Sequence, residues 1–153
     1  MNITPALDLT KRSKDFAHRV KRWGDADVLG CYQCKKCSAG CPVTFAMDYL
    51  PHQVIRMVQV GLKDPVLRCA TIWVCASCET CTTRCPNEID IARVMDILRQ
   101  MALKEKVPEV ERGIHVFHDQ FLKSVRSYGR IFELGLIGLF KLRTGRLFDD
   151  VLL

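Results

Sequence analysis

Along most of this chain apolar residues recur at the three- and four-residue steps of one helix face. Between Thr10 and Trp23, the residues Phe16, Val20 and Trp23 fall on such a stripe and predict an N-terminal helix over 10–23. Pro51 opens a second helix at a position where its missing N–H costs nothing, and Gly61 closes it, where a left-handed cap needs no Cβ. Asp64-Pro65 repeats the start signal for a short helix running to about Trp73. After Pro86, the residues Ile91, Val94, Met95, Leu98, Met101 and Ala102 form a 3.6-period stripe, which Pro108 breaks. Val110, Ile114, Phe117, Phe121, Val125 and Tyr128 form another, ended by Gly129. Residues 130–142 read as one more helix, which Gly135 and Gly138 weaken by roughly 1 kcal/mol each. No alternating β-branched run bounded by turn residues is present, so the expected class is all-α. Residues 1–106 are expected to form one domain with its core over 26–106, and 107–153 a C-terminal helical extension.

Length and composition leave this outline intact. The 153 residues make about one domain at the usual ~150 residues, and 48% of them are hydrophobic, enough to exclude extended disorder. The opening residues MNITPALDLTKRSKDF contain no apolar signal-peptide core, and the longest apolar run, Leu134–Phe140, falls far short of the roughly 20 residues of a membrane span. The expectation is a cytoplasmic protein without a transmembrane segment, in a reducing compartment where its nine cysteines are not held as disulfides.

Those cysteines carry the chemistry. Cys31-Tyr-Gln-Cys34-Lys-Lys-Cys37-Ser-Ala-Gly-Cys41-Pro42 returns 44 residues later as Cys75-Ala-Ser-Cys78-Glu-Thr-Cys81-Thr-Thr-Arg-Cys85-Pro86. Both stretches are C-x2-C-x2-C-x3-C-P. Three thiolates within seven residues can wrap one side of an iron–sulfur cubane, while the fourth lies beyond reach of the same cluster and its proline turns the chain away. In two-cluster ferredoxins that fourth cysteine ligates the other cluster. Two 4Fe–4S clusters are therefore expected, one on Cys31, Cys34, Cys37 and Cys85, the other on Cys75, Cys78, Cys81 and Cys41. A zinc site, normally two C-x2-C pairs separated by a longer loop, fits this spacing poorly.

The clusters also change the charge reading. The formal charge of +6 counts cysteines as neutral, whereas two oxidised clusters with their thiolates add about −4 and leave about +2. Basic residues are scattered through the chain, so no nucleic-acid partner is expected. Lys35 and Lys36 in the first motif, with Arg84 beside Cys85, would favour the reduced state of the first cluster and give it the higher potential, whereas Glu79 lies in the second motif. Cys69 falls outside any ligand spacing and reads as a small buried apolar residue. His115 and His118, one turn apart beside Asp119, lack a matching ligand cluster and read as solvated or capping side chains. The chain carries no dinucleotide glycine fingerprint, phosphate loop or nucleophile elbow, so a catalytic site of its own is not expected.

The helical insert between Cys41 and Cys75 resembles the α-helical ferredoxin fold, which also forms the cluster domain of succinate dehydrogenase and fumarate reductase iron–sulfur subunits. The short length, Gly30-Cys31-Tyr32-Gln33-Cys34, and the tail from Phe117 through Tyr128-Gly129-Arg130 to Lys141-Leu-Arg-Thr-Gly145 resemble the small C subunit of soluble heterodisulfide reductase. That resemblance implies two 4Fe–4S clusters relaying electrons between a flavin-bearing A subunit and a catalytic B subunit that reduces the disulfide, in a complex commonly built as a dimer of heterotrimers. The chain has no CCG motif of the disulfide-cleaving subunit. The alternative is the iron–sulfur subunit of a quinone-linked glycerol-3-phosphate, lactate or succinate-type oxidoreductase, although the additional cluster or cysteine-rich domains such subunits often carry are not in this sequence. In the extension, Leu134, Leu136, Ile137, Leu139, Phe140, Leu147 and Phe148 supply apolar surface for partner docking or for folding back onto the cluster core. Attachment to a membrane surface through Lys141, Arg143 and Arg146 is a third option.

Overall fold

The computed structural model describes residues 8–108 and 112–145, and all regular structure among them is helical. The chain divides into two compact units, Met1–Val110 and Glu111–Leu153. No helix of the described residues is long and apolar enough to cross a membrane.

The first unit contains α1 (Phe16–Gly24), α2 (Lys36–Ala39), α3 (Pro51–Gln59), α4 (Lys63–Arg68), α5 (Thr71–Val74), α6 (Thr80–Thr83) and α7 (Ile91–Lys104). Helix α7 is the central strut, packing against α1, α4, α5 and α6. Its predicted stripe is the face that does so: Ile91, Val94, Met95, Leu98, Met101 and Ala102 are all buried. They meet Phe16 and Val20 of α1, Val66 and Leu67 of α4 and Ile72 of α5 in one core. Each such side chain contributes about 1.5–3 kcal/mol on leaving water.

Two predicted helices differ from the structure, and long-range contacts explain both. Only a 3-10 turn, Leu9–Lys11, forms at the start, and α1 begins at Phe16 instead of at Thr10. Between them the Ser13 amide donates to the Gly61 carbonyl at 2.8 Å, which takes its backbone out of helical pairing. Gly61 is needed there: its φ is +82°, and a Cβ would collide with the Ser13 carbonyl. The helix expected from Asp64 to about Trp73 is interrupted at Cys69, which is extended (φ −72°, ψ 147°). The Asp48 carboxylate takes the amide hydrogens of Ala70 (2.8 Å) and Thr71 (2.9 Å) and starts α5 afresh.

The second unit is a helical hairpin of α8 (Arg112–Tyr128) and α9 (Glu133–Thr144), joined through Gly129 at φ +68°. Phe117 meets Phe140 edge-on at 6.0 Å, the Ser124 hydroxyl accepts the Phe132 amide at 2.9 Å, and Asp119 pairs with Lys123 (2.7 Å) and Arg143 (2.9 Å). Leu136 is buried, whereas Leu134, Ile137, Leu139 and Leu142 are exposed. Arg146, Leu147 and Phe148 lie outside the described residues.

Candidate metal centre

The repeat in sequence is a repeat in backbone. Gln33 and Ser77, each two residues after its motif's first cysteine, are left-handed (φ 64° and 50°). So are Lys35 and Glu79, each four residues after it (φ 65° and 58°). A one-turn helix follows at the same register, α2 and α6, and corresponding hydrogen bonds close each motif. Ala39 N–H donates to Lys35 O (3.1 Å) and Thr83 N–H to Glu79 O (3.0 Å). Cys41 N–H donates to Ser38 O (3.3 Å) and Cys85 N–H to Thr82 O (3.1 Å). None of the four left-handed residues is glycine, and each costs about 1–2 kcal/mol in that conformation. Strain of this kind persists only where function or surrounding structure demands it. Left-handed turns gather successive amide hydrogens into concavities suited to anions, and iron–sulfur sites use them.

Folding brings the two motifs together. Helices α2 and α6 pack on each other, the Arg84 side chain covers Gly40, and the Asn87 side-chain amide donates to the Gly30 carbonyl. Cys41 lines one cavity with Cys75, Cys78 and Cys81, walled by Val43, Met47, Pro51, Ile91 and Met95. Tyr32, within the first motif, is exposed. Desolvation and then the neighbouring Cys34, Cys85 and Cys31 push its phenol above the ordinary value. Cys37 is buried, with burial raising its thiol pKa and the charges of Cys31 and Cys34 adding to the effect. Burial likewise pushes the Cys81 thiol up to about 11, whereas the Thr80 hydroxyl lowers that of Cys78. Cys34 and Cys78 are exposed, and Cys31, Cys41, Cys75 and Cys85 half-buried.

Among the described residues, no three His, Cys, Asp or Glu side chains gather as a single metal ion requires. A cubane asks for a different arrangement, because each thiolate binds its own iron at a separate corner and the sulfurs stand around a larger body. The strained amide-lined turns, the apolar walls and the two groups of cysteines fit such a cluster.

Several residues that shape the site carry no signal in the cysteine spacing. Gln59 Nε2 donates to the carbonyls of Val28 and Cys31, both at 2.9 Å, and anchors the approach to the first motif. The Ser38 hydroxyl accepts the His52 amide at 3.1 Å and lies 2.7 Å from His52 Nδ1, joining α2 to α3. Burial, with Lys35 nearby, lowers the His52 pKa. Asp90 caps α7 through the Arg93 amide (2.9 Å) and accepts the Thr82 hydroxyl (3.1 Å), fixing α6 beside it. Arg99 reaches back from α7 to the second motif, with Nη2 3.2 Å from the Cys75 carbonyl and 3.0 Å from Ser77 Oγ. Arg99 stands one helical turn after Met95 and two after Ala92, both of which line the Cys41 cavity, a relation visible only once the cavity is seen. By contrast Lys35, Lys36 and Arg84, expected to tune the first cluster, are exposed and therefore screened.

Comparison with known proteins points to the same iron–sulfur chemistry. Residues 27–89 match the family described as a 4Fe-4S dicluster domain. The chain is 35% identical over 91 residues to the C subunit of the H(2):CoB-CoM heterodisulfide,ferredoxin reductase of Methanothermobacter marburgensis, covering 60% of this chain and 49% of that one. It is 34% identical over 144 residues to the iron-sulfur C 2 subunit of the CoB--CoM heterodisulfide reductase of Methanocaldococcus jannaschii, covering 87% and 76%. A match of 36% over 77 residues to the C subunit of the Ferredoxin:CoB-CoM heterodisulfide reductase of Methanosarcina acetivorans covers 50% and 31%. The chain spans about half the length of the first of these relatives and about a third of the last. With the doubled cysteine motif inside the matched region and the likeness to the second of these proteins running along most of both chains, this protein belongs to the iron–sulfur family of heterodisulfide reductase C subunits.

Proposed function

We propose that this chain is a non-catalytic electron-transfer subunit holding two 4Fe–4S clusters in a heterodisulfide reductase-like complex. One cluster is held by Cys31, Cys34, Cys37 and Cys85, the other by Cys75, Cys78, Cys81 and Cys41. The observation that carries the reading is the cavity in which Cys41, from the first motif, meets three cysteines of the second. Crossed ligation of this kind ties the motifs into one unit and keeps the two centres close.

When bound, such clusters supply one-electron uptake and release without any bond to substrate. The protein's part is to hold and shelter them. The cysteines act as thiolates, and the left-handed turns at Gln33, Lys35, Ser77 and Glu79 present amide hydrogens to the added negative charge. Val43, Met47, Ile91 and Met95 keep water from one side of the second group. Cys34 and Cys78 face solvent, so each group has one edge that a partner's redox centre can approach.

The partners in this reading are a flavin-bearing A-type subunit and a catalytic B-type subunit that reduces the disulfide, assembled as a dimer of heterotrimers in the cytoplasm. The exposed apolar side chains of α9 supply a docking surface, because Leu134, Ile137 and Leu142 gain by leaving water. Anaerobic purification of the native complex tests the proposal. About eight irons per chain, broad absorption near 400 nm and co-purifying flavin and CCG-type subunits are expected. A folded chain without iron, or one isolated with quinone-linked dehydrogenase subunits, overturns it.

A further inference from the structure

Among the described residues, Arg99 is the one charged side chain that α7 sends to the backbone of a cysteine motif. Its Nη2 donates to the Cys75 carbonyl (3.2 Å) and to Ser77 Oγ (3.0 Å), while its Nε is buried and has no acceptor. A buried N–H left unpaired is costly, so its survival here requires a reason. Guanidinium keeps its proton at any relevant pH, and a half-buried charge is screened far less than an exposed one. Other charges stand nearby. Glu79, Asp96 and Arg93 are exposed along the open groove beside Ser77, and Asp90 is committed to the Arg93 amide and Thr82. None of these is bonded to the Cys75–Cys78 turn as Arg99 is.

We propose that Arg99 is the positioning residue of the cluster held by Cys75, Cys78, Cys81 and Cys41, and that its charge raises the reduction potential of that cluster. The inference rests on the reading of the motifs as cluster sites. Reduction adds one electron, and thus one negative charge, with no bond made or broken, so a fixed cation in contact with the turn stabilises the reduced state more than the oxidised one. The exposed Lys35, Lys36 and Arg84 offer the first cluster no equivalent.

The test is a potentiometric EPR titration of the anaerobic full-length chain, with dithionite as reductant and ferricyanide as oxidant. The two signals are assigned by the one missing from Cys78→Ala. In Arg99→Gln, the midpoint of the second-motif cluster is expected to move to more negative potential while the other stays in place. Arg93→Gln, the same charge change at an exposed site on the same helix, is expected to move neither. Unmoved midpoints in Arg99→Gln, or an equal shift in Arg93→Gln, overturn the inference while the cluster reading stands. Should Arg99→Gln not retain the cluster, Arg99→Lys decides: it keeps the positive charge beside the turn, so a midpoint close to wild type is expected, and a clearly more negative midpoint overturns the inference. A wild-type chain without EPR-active iron overturns the cluster reading itself and this inference with it.

Discussion

Asp48 accepts two hydrogen bonds from Thr71, one from the amide at 2.9 Å and one from the hydroxyl at 2.6 Å, across 23 residues of chain. The same carboxylate takes the Ala70 amide at 2.8 Å, and the Thr71 hydroxyl lies within hydrogen-bond distance of the Tyr49 carbonyl. The segment that follows Cys41 is thereby fastened to the helix that delivers Cys75.

Asp48→Ala is expected to lower stability by about 0.5–2 kcal/mol, the range for a lost capping side chain, and to release iron from the second-motif cluster faster under a chelator. Asp48→Asn keeps one acceptor and falls between. Thermal unfolding and chelator kinetics on anaerobic protein check both. Iron loss at the wild-type rate in Asp48→Ala would dissociate the cap from the cluster site.

Crossed ligation makes a distinctive prediction for single cysteine variants. Cys41→Ala is expected to leave the same residual EPR spectrum as Cys78→Ala, although Cys41 belongs to the first motif. Cys85→Ala is expected to match Cys34→Ala. Pairing by motif instead, with Cys41→Ala resembling Cys34→Ala, would show that each cluster is bound by one stretch of chain.

Glu105 joins three elements, pairing with Arg19 of α1 at 2.8 Å and Lys63 of α4 at 2.5 Å. Burial works to raise its pKa, but the hydrogen bonds from Lys63 and Arg19 outweigh it and hold the carboxyl below its ordinary value. A lowered pKa means that the pair stabilises the fold above the ordinary carboxylate range and loses that effect as pH falls through the lowered value. Glu105→Gln is expected to cost about 1 kcal/mol at pH 7, because the partners are only partly exposed, with a difference from wild type that closes as pH drops below about 4. Chemical denaturation of both proteins across that range is the measurement.

Cys69 is 2% exposed, and burial pushes its thiol up to about 12. It is expected to resist iodoacetamide at pH 8 in the native chain and to label once unfolded, as read by peptide mass spectrometry. A pKa raised on folding contributes stability below the unfolded thiol value and loses it as pH rises. The fold is therefore expected to weaken above about pH 8.5, and Cys69→Ala to weaken less steeply. Labelling in the native state at the unfolded rate would contradict the burial.

The helix stripes were legible because core faces repeat locally: every member of the Ile91–Ala102 stripe is buried where its spacing placed it. The starts and breaks near Ser13 and Cys69 were not legible, since each depends on a partner far along the chain, the Gly61 carbonyl in one case and the Asp48 carboxylate in the other. The short helices α2 and α6 leave no trace in the periodicity, being too short for an apolar period and beginning at left-handed Lys35 and Glu79, residue types with no preference for that conformation. Arg99 was hidden for a related reason. On a helix with other charged residues, nothing local separates a side chain that turns inward from those that face water.

Cysteine spacing and apolar periodicity alone determined the helical class, the iron–sulfur chemistry and the division of the cysteines into two triplets with a distant fourth, because ligand geometry and helix pitch are both short-range constraints. How deeply each thiol is buried and which cation touches the second motif were decided only by tertiary packing. Those properties depend on α2 meeting α6 and on α7 passing behind the Cys75 turn. Desolvation and charge proximity are set by what surrounds a residue in space, and no local pattern encodes that.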